Sequence, residues 1–502
     1  MNKNNSKTRI MAGLLLVLLA ASACSSCGDT TEPQTTDTPT AAVTESAAAE
    51  TEAVTEDPAL ADSLPEADLG GAPFRMTVFG TDINRPQTYV DAQDGNIVND
   101  AVYAKIRTVE ERFNTDIVLT EMSYLEENHV TVLKEAILAG DDCCDLAQGH
   151  DVNMANAAME GLFINALDIP HLDFTKPWWP AATTESMTVA GQMYMMFNNI
   201  GYNNLAQTRV MYFNKKLMQE LDFAYPYQMV YDGTWTLDAM REMSIQAYRD
   251  INGNGSVDSA DRFGYVSMPY YYGIFEPFRV EPYRKDENGN LYYEVYLERT
   301  TQIVDKFYDL IFGEGGYLYP STDSDYQDQV LNLFCEDRSL FFYGPLENAV
   351  KNFSAANDLS YGILPMPKLD ASEDGYYGAA FDRPFVVPTT AGENIDNIGL
   401  VIEALNAEGY KQVFPAYYEI AMKTRYADQT DDAKMIDIVH DNVIISFTYI
   451  HDNYSSVYGK MLWDLFNKTS PSKDVASWCA KNELSQTKRV EKLMKFFDDN
   501  RD

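Results

Sequence analysis

The sequence predicts an α/β protein of two lobes, each built on a mainly parallel sheet flanked by helices. Three observations lead there. The stretch Ala72–Gly149 alternates strand and helix patterns, as βαβ crossovers do. About 430 residues follow a polar leader segment, more than one hydrophobic core usually supports. The N-terminal apolar run Ile10–Ala23, fourteen residues, is too short to cross a bilayer, which takes roughly 20.

In Ala72–Phe79, Phe74, Met76 and Val78 alternate as in a half-buried strand. Asn99–Asn114 carries Val102, Ile106, Val109 and Phe113 on one helical stripe. Asp116–Thr120 reads as a second strand, Val130–Ala139 as a helix stopped at Gly140, and Cys144–Gly149 as a third strand. Ligands of open α/β sheets meet the carboxyl ends of the strands. This marks Asp82, His150 and Asp151 as candidate cleft residues.

Pro177-Trp178-Trp179-Pro180 sets two indoles in a proline-bounded loop, an expected stacking platform. Tyr270 and Tyr272 after Pro269 form a second aromatic candidate. Trp235 opens a helix with Thr236 as its N-cap and is expected in the core. Asp286–Asn290 is expected to turn a hairpin into Leu291–Val295. Further on, Ser339–Tyr343 is a strand broken by Gly344-Pro345, and Phe381–Pro388 reads as an extended crossover.

The sharpest local motif is Asp250–Asp261. Asp250, Asn252, Asn254, Asp258 and Asp261 occupy positions 1, 3, 5, 9 and 12, Gly255 position 6, and the Ser256 carbonyl is available at position 7. Calcium takes six to eight oxygens around a sharp turn, which this spacing supplies. A structural calcium ion is expected there, in a loop resembling those of dockerin modules, with Asp rather than Glu at position 12.

Lys3, Lys7 and Arg9 precede the apolar run Ile10–Ala23, and Ser22-Ala23 precede Cys24. This is the pattern of a secretory signal ending in a lipobox, with Cys24 as the lipidated residue. From Gly28 to Asp68 there are 11 acidic residues and no Lys or Arg, the composition of a disordered spacer. The whole chain carries 76 acidic against 38 basic residues, a net charge of −38. Such a surface repels phosphate backbones, so nucleic acid is not an expected partner. Cys143, Cys144, Cys335 and Cys479 have neither zinc spacing nor a disulfide framework.

The strand ending in Gly344-Pro345, the helix after it, Tyr361–Lys368 ("YGILPMPK"), "FVVP" at Phe385–Pro388 and the helical tail resemble, with the lipobox, the family 1 extracellular solute-binding lipoproteins of carbohydrate ABC importers. The resemblance implies a type II periplasmic-binding-protein-like clamshell that captures sugar at its hinge and performs no catalysis. It implies a monomer, lipid-anchored on the outer face of the cytoplasmic membrane, that hands its ligand to permease subunits. The resulting division is signal 1–23, linker 24–68, lobe 1 at 69–200, lobe 2 at 201–381, a return to lobe 1 at 382–445, and a lobe 2 tail at 446–502. Relatives often place an aromatic just after the Gly-Pro; here Leu346 and Glu347 stand there, so Tyr343 or another ring is expected to substitute. Glu347, Asp382 and Arg383 complete the candidate ligand contacts. The alternatives are a surface glycan-active enzyme, for which no nucleophile or metal motif is evident, and a glycan-sensing or adhesion module that does not transport.

Overall fold

The patterned opening folds as three strands and two helices. A computed structural model describes residues 60–78, 85–119, 126–267, 273–313, 326–353, 356, 358–381, 383–418, 430–452, 457–467 and 469–501. Strand β1 (Ala72–Val78) leads to the helix Ile97–Phe113, β2 (Thr115–Leu119), the helix Glu126–Ala139 and β3 (Leu146–Gln148). β1 pairs in parallel with β2, Phe74 opposite Ile117, and with β3, Met76 opposite Leu146. The helix starts earlier than its apolar stripe suggests because Asn96 caps it, accepting from the amides of Val98 and Asn99. Its stripe, Val102, Ile106, Val109 and Phe113, is fully buried.

The chain then crosses through residues 199–208 into the second lobe. There it forms β4 (Arg209–Asn214), β5 (Phe263–Ser267), the hairpin β6 (Tyr283–Lys285) and β7 (Leu291–Tyr293), β8 (Ser339–Pro345) and β9 (Tyr361–Leu364). The Asp286 carboxylate caps the hairpin turn, accepting from the Asn288 and Asn290 amides. The second sheet has the order β5-β8-β4-β9. Whereas the first sheet is mainly parallel, this one is mixed: β4 runs antiparallel to both β8 and β9, and β5 is parallel to β8.

Next come β10 (Gly378–Ala379), β11 (Phe385–Val386) and β12 (Val443–Ile444). β11 returns to the first lobe and adds antiparallel to β3, completing the order β11-β3-β1-β2. β10 and β12 pair in parallel, so two later passages between the lobes are hydrogen-bonded together.

The tail packs against elements of both lobes. The helix Ile395–Glu408 packs on Ile97–Phe113 in the first lobe, but Thr430–His440 packs on β9 in the second. Phe447–His451 packs on the helix Asp151–Ala158 of the first lobe, and Val475–Asp499 packs on β7 and Leu297–Phe312. A buried ion pair fixes Thr430–His440: Asp432 lies 2.9 Å from Lys215 Nζ and also accepts from Tyr227 Oη and the Ile363 amide.

Candidate functional site

The carboxyl ends of the two sheets are joined by one continuous seam of polar and aromatic side chains. On the first lobe, Gln148 ends β3, and its amide nitrogen reaches the Arg383 carbonyl at 3.5 Å. The Arg383 guanidinium donates to Asn203 Oδ1 at 2.5 Å, and the Asn203 amide approaches the Phe381 carbonyl at 3.5 Å. The Phe381 ring lies 4.8 Å beneath the guanidinium of Arg209, the first residue of β4, and 4.8 Å from the Tyr449 ring. On the second lobe, Tyr343 of β8 donates its hydroxyl to the Gly273 carbonyl at 2.6 Å. Gly273 has φ +75°, and a Cβ there would meet Ala379 at 3.1 Å and Arg209 at 3.3 Å. Only glycine lets that turn close on the seam.

Carboxylates border the seam. Burial pushes Glu276 up to about 7; neighbouring Glu281 adds to the shift and Arg209 opposes it. Glu281 is also raised by burial, although it accepts from Thr448 Oγ1 at 2.5 Å. At the end of the first sheet, His150 caps the helix Asp151–Ala158, with its Nδ1 2.8 Å from Asp151. The Gly149 amide donates to the Pro384 carbonyl, which ties this corner to the seam.

The seam thus gathers Tyr343 and Arg383, with His150 and Asp151 beside them. Glu347 is paired with Lys351 at 2.6 Å; desolvation raises the Tyr202 and Tyr417 hydroxyls, and the Glu347 charge adds to that shift. Asp82, Tyr270, Tyr272, Asp382 and Cys24 fall outside the described residues.

The tryptophan loop lies apart from the seam. Trp178 and Trp179 are 0% and 2% exposed. Their indole N–H groups donate at 2.8 and 2.9 Å to the two oxygens of Glu403. The proline-bounded loop serves to point both indoles inward at one buried carboxyl. Burial pushes Glu403 up to about 7 from the ordinary 4.5. The folded form therefore keeps a proton that the unfolded form loses between those values. That stability is complete below pH 4.5 and is lost as pH rises through 7, worth about 3 kcal/mol at 1.36 kcal/mol per unit. In urea unfolding at pH 5 and pH 8, Glu403→Gln is expected to lose less stability over this interval than the parent chain. Equal losses would refute the assignment.

Sequence reasoning missed Arg209, Asn203, Phe381, Gln148 and Tyr449. Phe381 and Gln148 stand in segments recognised as a crossover and a strand end, which was the available signal. Nothing local distinguishes Arg209 from any other strand-initial arginine.

In the loop Asp250–Asp261, the Asp250 carboxylate accepts from the amides of Gly253 and Gly255. The Asn252 and Asn254 side-chain amides donate to Asp258, and the Ser256 amide donates to Asn254 Oδ1. Asp261 is fully buried and accepts from the Ile251 and Asp258 amides and from Tyr248 Oη. The carboxylates of Asp250, Asp258 and Asp261 all accept hydrogen bonds from within the loop. Among the described residues, no three His, Cys, Asp or Glu side chains gather as a metal site on their own.

Two α/β sheets joined by several crossings, with a polar-aromatic seam at the strand carboxyl ends, make up a two-lobe α/β fold. Solved structures bear out the fold. The acarbose-binding GacH receptor of Streptomyces glaucescens aligns over 84% of this chain and 99% of its own, with a TM-score of 0.52 at 13% identity. A family 1 extracellular solute-binding protein from Bifidobacterium longum subsp. infantis aligns over 86% and 100%, with a TM-score of 0.51 at 13% identity. UgpB of Mycobacterium tuberculosis, solved with glycerophosphocholine, aligns over 86% and 99%, also with a TM-score of 0.51 at 13% identity. The chain has the fold of the family 1 binding proteins of ABC importers. No protein-family model and no curated protein sequence matches it. Among the described residues, no helix is long and apolar enough to cross a membrane.

Proposed function

We propose that this chain captures a carbohydrate between its lobes and delivers it unchanged to the permease of an ABC importer, acting as a monomer held outside the cell by a lipid on Cys24. The observation that carries this reading is the seam from Gln148 to Tyr343, which spans both lobes at their strand ends. Aromatic faces stack on sugar rings while Asn, Gln and Arg bind hydroxyls, so a ligand that touches both lobes favours the closed form. A thermal-shift screen of residues 69–502 against a glycan panel tests it. A bound oligosaccharide raises Tm and is recovered intact; turnover of the sugar, or no response to any glycan, overturns it.

Arg209 and Arg383 on one seam of a chain with net charge −38 favour a second reading, a small phosphodiester such as the glycerophosphocholine found with UgpB. Including it in the screen separates the two.

The loop Asp250–Asp261 is proposed to hold one structural calcium ion, with Asp250, Asn252, Asn254, Asp258, Asp261 and the Ser256 carbonyl as ligands. The ion would supply cross-linking charge to a loop of acidic and amide groups, and no part of ligand capture. Tm is expected to fall when EGTA replaces calcium, and to stop responding in Asp250→Ala. Indifference of the parent chain to EGTA removes the ion.

A further inference from the structure

A cavity of about 540 Å³ lies against the crossing segment, lined there by Asn199, Asn204, Leu205 and Thr208. Its size is within the range of small-molecule sites. Trp179, Tyr410, Phe414 and His440 supply its aromatic wall. Tyr410 belongs to Gly409–Val413, a single π-helical turn of a kind frequent at functional sites, and Phe414 follows it directly. That turn fits because Gly409 lies against the chain: a Cβ there would sit 1.8 Å from the Asn199 carbonyl. The Tyr410 and Phe414 rings stack at 6.0 Å, and Phe414 meets His440 edge-on at 5.1 Å.

The polar wall is made of Asn199, Asn204 and Thr208. Asn199 is 4% exposed; its amide nitrogen donates to the Trp178 carbonyl, and its amide oxygen has no partner among the described residues. Lys176 and Asp441 add one charge of each sign, which favours a neutral ligand. Ring faces beside amides and hydroxyls form the chemistry that binds a sugar.

The short helix Asn203–Gln207 is a wall of both sites. Asn203 holds Arg383 in the seam, and the next residue, Asn204, lines this cavity. His440 and Asp441 lie at and just beyond the end of the helix anchored on β9, whereas Tyr410 and Phe414 belong to the segment that follows the helix packed on the first lobe. Relative movement of the lobes therefore reshapes this cavity.

We propose that the cavity against the crossing segment is a second site, for a neutral ligand of mono- or disaccharide size, coupled to the cleft through the helix Asn203–Gln207. The coupling, though not the site, rests on the reading of the seam as the cleft. Coupling between two such sites is reciprocal and typically 5- to 150-fold.

The test labels the chain with 5-fluorotryptophan, assigns the Trp179 signal by Trp179→Phe, and titrates glucose, maltose, cellobiose and mannobiose by fluorine NMR. At least one sugar is expected to shift the Trp179 signal in the parent chain and in the cleft variant Arg383→Ala, but not in Tyr410→Ala or Asn204→Leu. With a cleft ligand saturating, its midpoint is expected to move at least fivefold. No shift of the Trp179 signal by any of the four, in variants that unfold cooperatively, overturns the site. A shift whose midpoint ignores the cleft ligand overturns the coupling alone. Loss of the seam reading appears separately, as sugar affinity indifferent to Arg383→Ala, with the Trp179 response still readable.

Discussion

Arg383→Ala is expected to weaken carbohydrate binding at least tenfold, about 1.4 kcal/mol or more, while leaving the chain folded. Arg383 is half-buried where the first lobe meets the crossing, and it contributes two different things to the seam. Its carbonyl receives the Gln148 amide, which a substitution preserves. Its guanidinium orders Asn203 at 2.5 Å, which truncation removes. Any hydroxyl or phosphodiester oxygen seated there loses a planar, two-pronged donor. Arg383→Lys restores the charge but not the fork, so it is expected to recover only part of the affinity. Calorimetric titration of the parent and both variants decides the matter. Unchanged affinity in Arg383→Ala would remove this residue from the site.

The second large effect concerns stability. Asp432→Ala is expected to cost 3–5 kcal/mol in urea unfolding, the usual loss when one partner of a buried pair is deleted. The Asp432 carboxylate is inaccessible and serves three donors: Lys215 Nζ at 2.9 Å, Tyr227 Oη at 2.6 Å and the Ile363 amide at 2.8 Å. Its removal leaves a buried ammonium without its counter-charge. Desolvation already lowers the Lys215 pKa, with Asp432 holding it up, so the variant loses the opposing influence. Lys215→Met in the same background is expected to return part of the loss. A cost below 1 kcal/mol for Asp432→Ala would show that the pair is dispensable.

Much of the fold was legible because its elements are local. The alternation of Phe74 and Met76, the stripe from Val102 to Phe113, and Thr236 as a cap each depend on neighbours within a few residues, and each forms as read. The mixed second sheet was less legible, because the direction of β4 is defined against β8 and β9, far along the chain, and not by anything within Arg209–Asn214. The site was legible only in pieces. Tyr343 and Arg383 stood out as residues at a strand end and a crossover, but the seam assembles them with Arg209 and Asn203 across long stretches of sequence. The buried partner of the tryptophan loop was illegible for the same reason. An indole pair between prolines looks like a platform until its acceptor is known, and Glu403 lies 225 residues beyond Trp178. Burial of an aromatic is decided by such distant partners, to which composition and spacing are blind.

The pairing of β11 with β3 also sets a timetable. Phe385 hydrogen-bonds beside Gln148, so the first sheet stays one strand short until the ribosome has passed residue 386. The second lobe waits longer, for the helix that carries Asp432. Contacts so distant in sequence make for slow folding, because loop-closure entropy must be met before they form. Neither half of a nascent chain of this design can complete its sheet packing until most of the chain has been made, the first at residue 386 and the second at the helix that carries Asp432.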